Sequence, residues 1–228
     1  MSSVAEAPAR TGPAGYAVAA SGVLAVVLTI VLVAGLDTGT ALTAPAGLRR
    51  TISEYGLGPR AWEFTAAVVL LAAGSVASLI TFVRHGLVRL RSGASVAMML
   101  WTLGMIVIAL FPKQDRSAPS SMSGEIHRMA SLVAFVSLPI AAFLLAKGHR
   151  DRWAPFVRRT RVLGALSVLM FSPLVYSIIV GAVTGTAWWR VLPIGYVERG
   201  LLLAEVLTVL VIGHWSMAVS KKVSAAGS

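Results

Sequence analysis

The sequence predicts an all-α integral membrane protein, a six-transmembrane-helix bundle with both termini on the cytoplasmic side. Three observations predict this fold class. The 228 residues are 57% hydrophobic and only 13% charged, with a mean hydropathy of +0.80. Six apolar runs are each long enough to cross about 30 Å of hydrocarbon at about 1.5 Å per residue. Basic residues are concentrated between alternate runs, and this bias sets the orientation.

The elements follow along the chain. Residues 1–15 are small, polar and rich in Pro and Ala, which is typical of a disordered tail. Residues 16–220 form the predicted transmembrane domain, and residues 221–228 form a C-terminal tail. The six predicted spans are 17–36, 61–83, 94–111, 129–146, 162–183 and 200–219.

The basic residues predict the orientation and the partner. Twelve of the 20 fall in the N-terminal tail, the second and fourth loops and the C-terminal tail, and residues 147–161 hold six of them. The positive-inside rule therefore places these segments in the cytoplasm and the protein in the cytoplasmic (inner) membrane. A net charge of +11 placed between apolar runs suits membrane lipid as a partner and argues against nucleic acid.

The acidic residues gather at the opposite end. Seven of the nine carboxyl groups fall in or beside the first, third and fifth loops. Clustered carboxyl groups shift one another's protonation and mark candidate functional sites. These seven residues are Asp37, Glu54, Glu63, Asp115, Glu125, Glu198 and Glu205.

Two candidate proton donors flank the start of the second span. Glu63 lies inside that span, where an ionisable group is a functional candidate, and a buried Glu63 would keep its proton and donate it. The alternative is an interfacial Glu63 paired with Arg60 or Arg49. Ser53-Glu54-Tyr55 forms a compact set of donors and acceptors just before the span, or, alternatively, an interfacial segment in which Ser caps a short helix.

The third and fifth loops carry the remaining candidates. Asp115 follows the third span, and His127 at the start of the fourth can exchange a proton with a carboxylate near neutral pH. Glu198 and Glu205 are seven residues apart and so share a helix face. Trp188-Trp189 is either part of an interfacial aromatic belt or a roof over an apolar cavity, where the rings would stabilise a cation.

No cofactor or metal ion is predicted. The chain has no Cys, so disulfides, thiolate metal sites and a Cys nucleophile are excluded. It also lacks a Gly-rich phosphate loop, a His-x-x-x-His or Glu-x-x-His pair and a Gly-x-Ser-x-Gly elbow.

Four short motifs carry a resemblance to known proteins. They are Arg-Arg-Thr-Ile-Ser-Glu-Tyr at 49–55, Phe-Pro-x-x-Asp at 111–115, Gly-x-Ile-His at 124–127 and Glu-Arg at 198–199. In this order at span ends, they resemble a large family of bacterial and archaeal multi-pass membrane proteins known as a domain of unknown function. The chain also resembles small membrane-bound terpene cyclases of actinobacterial indole-terpenoid and fungal meroterpenoid pathways, which are compact, metal-free and dependent on acidic residues near span ends.

This second resemblance implies a membrane-embedded, metal-independent enzyme that cyclises a hydrophobic isoprenoid or prenylated substrate after protonating it. Two alternatives stay open: a non-catalytic protein for lipid binding, sensing or assembly, and an enzyme that modifies lipid headgroups. The sequence leaves the oligomeric state open. The candidate catalytic residues are Glu54, Glu63, Asp115, Glu198 and Glu205. The candidate substrate-binding residues are Tyr55, Trp62, His127, Trp188, Trp189, Tyr196 and Arg199.

Overall fold

The computed structural model describes residues 13–115, 118–149 and 152–226. Within these ranges all regular structure is helical, and six helices are long and apolar enough to cross a membrane, so the predicted all-α, multi-pass fold class is confirmed. The α-helices are α1 (Pro13–Thr43), α2 (Ala61–Arg84), α3 (Gly93–Leu110), α4 (Met122–Lys147), α5 (Ala154–Thr184), the short α6 (Trp188–Val191) and α7 (Ile194–Ala226).

Several helices extend beyond the predicted spans. Helix α4 begins at Met122, seven residues before the predicted start, because the Ser121 side chain caps it by accepting a hydrogen bond from the Gly124 amide at 3.1 Å. Glu125 lies in the first turn, where the helix dipole favours a carboxylate. Glu125 and Arg128 therefore lie in helix α4 and not in the third loop.

Helix α7 also begins early, at Ile194 directly after Pro193, so Glu198 and Arg199 lie in its first two turns. It continues to Ala226, and most of the predicted C-terminal tail is thus helical. Of the predicted N-terminal tail, residues 1–12 lie outside the described residues, and α1 begins at Pro13.

The first loop is ordered into two short 3-10 helices, η1 (Pro45–Arg49) and η2 (Ile52–Leu57). Residues 44–60, here called the cap, lie between the end of α1 and the start of α2. The end of the bundle that carries the cap is called the cap end, and residues 111–121 and 185–193 lie at the same end. This is the end where the sequence analysis expected the carboxyl groups to gather.

The six long helices pack as a closed ring. Neighbouring pairs are α1 and α2, α2 and α3, α3 and α4, α4 and α5, α5 and α7, and finally α7 and α1. Helices α2 and α7 also contact each other across the ring. The last helix therefore joins the first, and α7 reaches into the interior of the bundle.

Small residues set the closest helix contacts. A Cβ atom added to Gly74 of α2 would lie 2.8 Å from the Gly22 carbonyl oxygen of α1. A Cβ atom added to Gly104 of α3 would lie 2.9 Å from the Ala134 Cβ of α4. Such close approach replaces the hydrophobic effect as a packing force within lipid. The opposite faces of the helices expose large apolar side chains, among them Leu103, Leu169 and Ile179.

Candidate functional site

A cavity of about 50 Å³ lies inside the bundle at the cap end. It is enclosed by η2 and by helices α1, α2, α3, α4 and α7. Its walls are mostly apolar, and five of the lining residues carry polar or ionisable groups: Thr29, Ser53, His127, Ser131 and Glu198. Apolar pockets with a few convergent polar groups are the usual form of a small-molecule site.

His127 enters the cavity from α4 with its protonation pattern fixed. The imidazole is only 5% exposed, and its Nδ1 lies 2.8 Å from the carbonyl oxygen of Phe111. A carbonyl oxygen can only accept, so Nδ1 carries the hydrogen and donates it. In the neutral ring Nε2 is then a proton acceptor. His127 is thus arranged as a base beside an apolar space.

Glu198 reaches the same cavity from the second turn of α7. Its Oε1 accepts a long hydrogen bond, 3.4 Å, from the Ser53 amide of η2. This hydrogen bond joins the Glu198 carboxyl group to the cap. A carboxyl group and an imidazole therefore face one apolar cavity, which is the combination that general acid–base chemistry needs.

The neighbouring Arg199 holds the cap to the bundle. Its guanidinium donates to the Asp37 carboxylate of α1, with Nη2 to Oδ1 at 2.8 Å and Nε to Oδ2 at 3.0 Å. Its Nη1 donates to the carbonyl oxygens of Leu48 at 2.9 Å and Arg50 at 2.7 Å. The hydroxyl of Tyr55 donates to Asp37 at 2.8 Å. We call this group of residues the Arg199 clasp.

Two neighbouring residues, Tyr55 and Gly195, contribute to the Arg199 clasp. The Tyr55 phenol is protonated at neutral pH and donates to Asp37, and burial raises its pKa further. Gly195 of α7 lies directly against the cap, since an added Cβ atom would fall 2.2 Å from the Arg50 carbonyl oxygen and 2.5 Å from that of Arg49. Only a glycine permits this contact between the two backbones.

Glu54 joins the cap to the third loop. Its Oε1 lies 3.2 Å from the Lys113 ammonium and accepts a hydrogen bond from the Thr51 hydroxyl at 3.1 Å. Lys113 also donates to Thr51. Both members of the ion pair are largely buried, so the pair fixes the position of η2 over the cavity.

The four sequence motifs at 49–55, 111–115, 124–127 and 198–199 lie within a region that matches a known protein family. A family described as "Protein of unknown function (DUF998)" matches residues 38–215. The chain belongs to the DUF998 family. The matched range includes His127, Glu198 and Glu205, and the resemblance stated from the sequence to a multi-pass family of unknown function is confirmed. No curated protein and no solved structure matches the chain.

In this DUF998 protein, three acidic residues of the cluster expected from the sequence lie away from the cavity. Glu63 pairs with Arg60, whose Nε donates to Oε1 at 2.6 Å, so the ion-pair alternative is the arrangement observed. Glu125 pairs with Arg128 near the start of α4. Asp115 lies on the surface of the third loop. None of these three lines the cavity.

The predicted substrate-binding aromatic residues do not meet at the cavity. Trp62 is 67% exposed on the outside of α2. Trp188 and Trp189 pack edge to face with ring centroids 5.7 Å apart. Tyr196 is exposed, and Tyr55 belongs to the Arg199 clasp.

The aromatic rings that do line the DUF998 cavity are Phe64 of α2 and Phe135 of α4, which the sequence analysis did not select. A periodic signal was available for the second. His127, Ser131 and Phe135 are spaced by four residues and so lie on one face of α4. All three line the cavity.

Glu205 lies deeper in α7 and outside the cavity lining. Its side chain is 0% exposed, and neither carboxyl oxygen has a hydrogen-bond partner among the described residues. In the same part of the chain, no three His, Asp or Glu side chains are grouped as a metal site would require.

Proposed function

We propose that this DUF998 protein is a membrane-embedded, metal-independent enzyme that cyclises an isoprenoid or prenylated substrate after protonating it. The observation that supports the proposal most directly is that Glu198 and His127 both line one apolar cavity. Cyclisation of this kind needs a dry space for a carbocation and a base that removes the last proton. The cap end of the bundle offers both.

His127 and Glu198 take the role of the terminal base. The Nδ1 hydrogen of His127 is engaged with Phe111, so Nε2 is the nitrogen that accepts the proton. Glu198 stabilises the imidazolium that forms, or accepts the proton itself. Glu54 and Glu63 are paired with Lys113 and Arg60, and we therefore no longer assign them the donor role.

Phe64 and Phe135 take the place that the sequence analysis gave to the Trp residues. Both rings line the cavity, and an aromatic face attracts a cation within about 6 Å. A cavity of about 50 Å³ admits only the reacting end of an isoprenoid. We therefore expect the helices to separate when a whole substrate binds.

The test is turnover by the purified protein in lipid vesicles. The substrates are prenylated indoles and phenols that end in an alkene or an epoxide, and the products are identified by mass spectrometry. We expect cyclised isomers of unchanged mass, with the rate reduced about 100-fold or more in Glu198→Gln and in His127→Asn. Glu125→Gln is the matched control, since Glu125 lies at the start of α4 but is exposed and paired with Arg128.

Two outcomes would count against the proposal. The first is the absence of any cyclised product from both classes of substrate. The second is full activity in Glu198→Gln and in His127→Asn together. Turnover in D₂O separates the two initiation modes, because protonation of an alkene leaves a carbon-bound deuterium in the product and protonation of an epoxide does not.

A second candidate function is non-catalytic lipid binding or assembly. The ion pairs at the cap end favour it, because Asp37, Glu54 and Glu63 each engage a cation and hold the fold together. In this case the cavity would bind a lipid chain without changing it. Native mass spectrometry that recovers an unaltered isoprenoid lipid, together with no turnover, would favour this candidate.

We further propose that the cap end faces away from the cytoplasm. The described basic residues beyond the other end of the bundle include Arg89, Arg91, Arg152, Lys221 and Lys222. Every described Asp and Glu lies at the cap end or within the bundle. This asymmetry agrees with the positive-inside rule and with a location in the inner membrane.

A further inference from the structure

Glu205 is the least expected side chain in the bundle. Two buried hydroxyl groups, one on α7 and one on α2, bond to their own helix: Thr208 donates to the Ala204 carbonyl at 2.8 Å, and Ser75 donates to that of Leu71 at 2.9 Å. Glu205 has neither exposure nor a partner for either oxygen among the described residues. A buried polar group without a partner is uncommon and calls for an explanation.

The surroundings determine the chemical form of this group. An isolated ionised carboxylate in a medium of low polarity is so costly that the group takes up a proton instead. No cation among the described residues pairs with Glu205. The side chain is therefore a neutral carboxylic acid, with one O–H donor and one free acceptor oxygen.

The position of Glu205 relates it to the cavity. Glu198, Leu202 and Glu205 are spaced by four and three residues, so they share one face of α7. Glu198 and Leu202 line the cavity, and Glu205 follows about 10 Å beyond Glu198 along the helix axis. Leu202 thus lies between the cavity and the neutral acid.

We propose that Glu205 is the proton donor of the site and that the reacting end of the substrate reaches it past Leu202. The ligand would be an apolar chain that ends in a hydrogen-bond acceptor or an electron-rich group, namely an epoxide or a trisubstituted alkene. This inference rests on the proposed function. It explains why a carboxyl group is retained in the interior without a partner.

With an epoxide substrate, the reaction begins at Glu205. The Glu205 O–H proton moves to the epoxide oxygen, and the C–O bond to the more substituted carbon breaks with its electron pair staying on oxygen. A substrate alkene supplies the electron pair of the new C–C bond. The resulting cation loses a C–H proton to His127 Nε2 or Glu198. The product is an isomer of the substrate, and the proton returns to Glu205 before the next turnover.

The test uses an apolar carbodiimide, which modifies protonated carboxyl groups that it reaches from the bilayer. The protein in vesicles is treated with dicyclohexylcarbodiimide, and modified peptides are identified by mass spectrometry. We expect labelling at Glu205 and none there in Glu205→Gln. A water-soluble carbodiimide should leave Glu205 unmodified.

Two matched variants test the path past Leu202. Leu202→Ala should label Glu205 about tenfold faster, which corresponds to about 1.4 kcal/mol in the free energy of opening. Leu203→Ala should label at the unaltered rate, because Leu203 is 61% exposed on the outer face of α7. Absence of label at Glu205 in both the unaltered chain and Leu202→Ala would overturn the inference.

Turnover distinguishes this inference from the proposed function. Glu205→Gln should lose cyclisation while retaining its fold, as judged by helical content and a single elution peak. Full cyclisation by Glu205→Gln would overturn the donor role and leave the proposed function standing. If the unaltered chain cyclises no substrate, both the proposed function and the donor role fail, whatever the labelling result.

Discussion

The hydrogen bonds of Arg199 connect segments that lie far apart in the sequence. Arg199 joins Asp37, 162 residues earlier, to the backbone of the cap. Such a contact cannot be predicted from local pattern, because it depends on which helices lie side by side. The sequence did place Arg199 beside the candidate Glu198, and the structure adds the reason: one holds the cap and the other faces the cavity.

The first prediction concerns this residue. Arg199→Gln should lower the free energy of unfolding by about 3 kcal/mol, near the lower limit for a broken buried ion pair, since Asp37 remains 28% exposed. The measurement is denaturant or thermal unfolding in detergent. Arg128→Gln is the control and should cost about 0–1 kcal/mol, because that pair is exposed. Equal effects of the two variants would contradict the clasp.

The second prediction concerns Gly195. Gly195→Ala should destabilise the protein by about 1–3 kcal/mol, because the new methyl group overlaps the carbonyl of Arg50 and forces the cap away from α7. Gly35→Ala is the comparison, since nothing lies within 4 Å of a Cβ atom there. Unfolding curves of the two variants should diverge, and a stable Gly195→Ala protein would show that the cap is not seated on α7.

At the scale of elements, the third loop positions the start of α4. The side chain of Gln114 donates to the carbonyl oxygens of Asp115, Ala118 and Pro119 at 2.7, 3.2 and 2.8 Å. Its Oε1 accepts from the amide of Ser121 at 2.7 Å. A single amide side chain therefore bonds to several backbone groups of the third loop, whose described residues have no regular structure of their own.

The third prediction follows from this arrangement. Gln114→Leu should open the first turns of α4, since several backbone groups lose partners worth about 1 kcal/mol each. Hydrogen exchange of the amides in residues 121–127 is expected to accelerate, and activity through His127 to fall with it. Met122→Leu, on the exposed side of the same turn, should exchange at the unaltered rate. Unchanged protection in Gln114→Leu would argue against this role.

Hydropathy predicted the existence of every span but not the ends of the helices. The predicted fourth and sixth spans begin directly after Arg128 and Arg199, whereas α4 includes Glu125 in its first turn and α7 includes Glu198 and Arg199 in its first two turns. A charged side chain at a helix end lowers the stability of the fold little when it has an ion-pair or hydrogen-bond partner. The sequence shows where the charged residue is, but only the packing of the helices shows which group it contacts.

On the scale of the whole molecule, the fourth prediction concerns orientation. The chain has no Cys, so single substitutions report accessibility without background. In intact cells, a membrane-impermeant maleimide should label Ala46→Cys in the cap. It should label Arg91→Cys, in the second loop, only after the membrane is broken. The reverse pattern would place the cap in the cytoplasm and invert the proposed orientation.

The sequence predicted the cap end as the location of the candidate site but only part of its contents. His127 and Glu198 were selected from charge and position, and both line the cavity. Phe64 was not selected, because an apolar residue within a span gives no sign of whether it faces a cavity. Phe135 was not selected either, although its spacing from His127 places both residues on one face of α4. The pairing of Glu54 and Glu63 with cations depends likewise on tertiary contacts.

The contact between α1 and α7 has a consequence for biosynthesis. Helix α1 is synthesised well before its neighbour α7, and Asp37 receives its Arg199 partner only when α7 is in place. The contacts of the cap with Arg199 and Gly195, and the part of the cavity wall that Glu198 supplies, can therefore form only after α7 has been inserted.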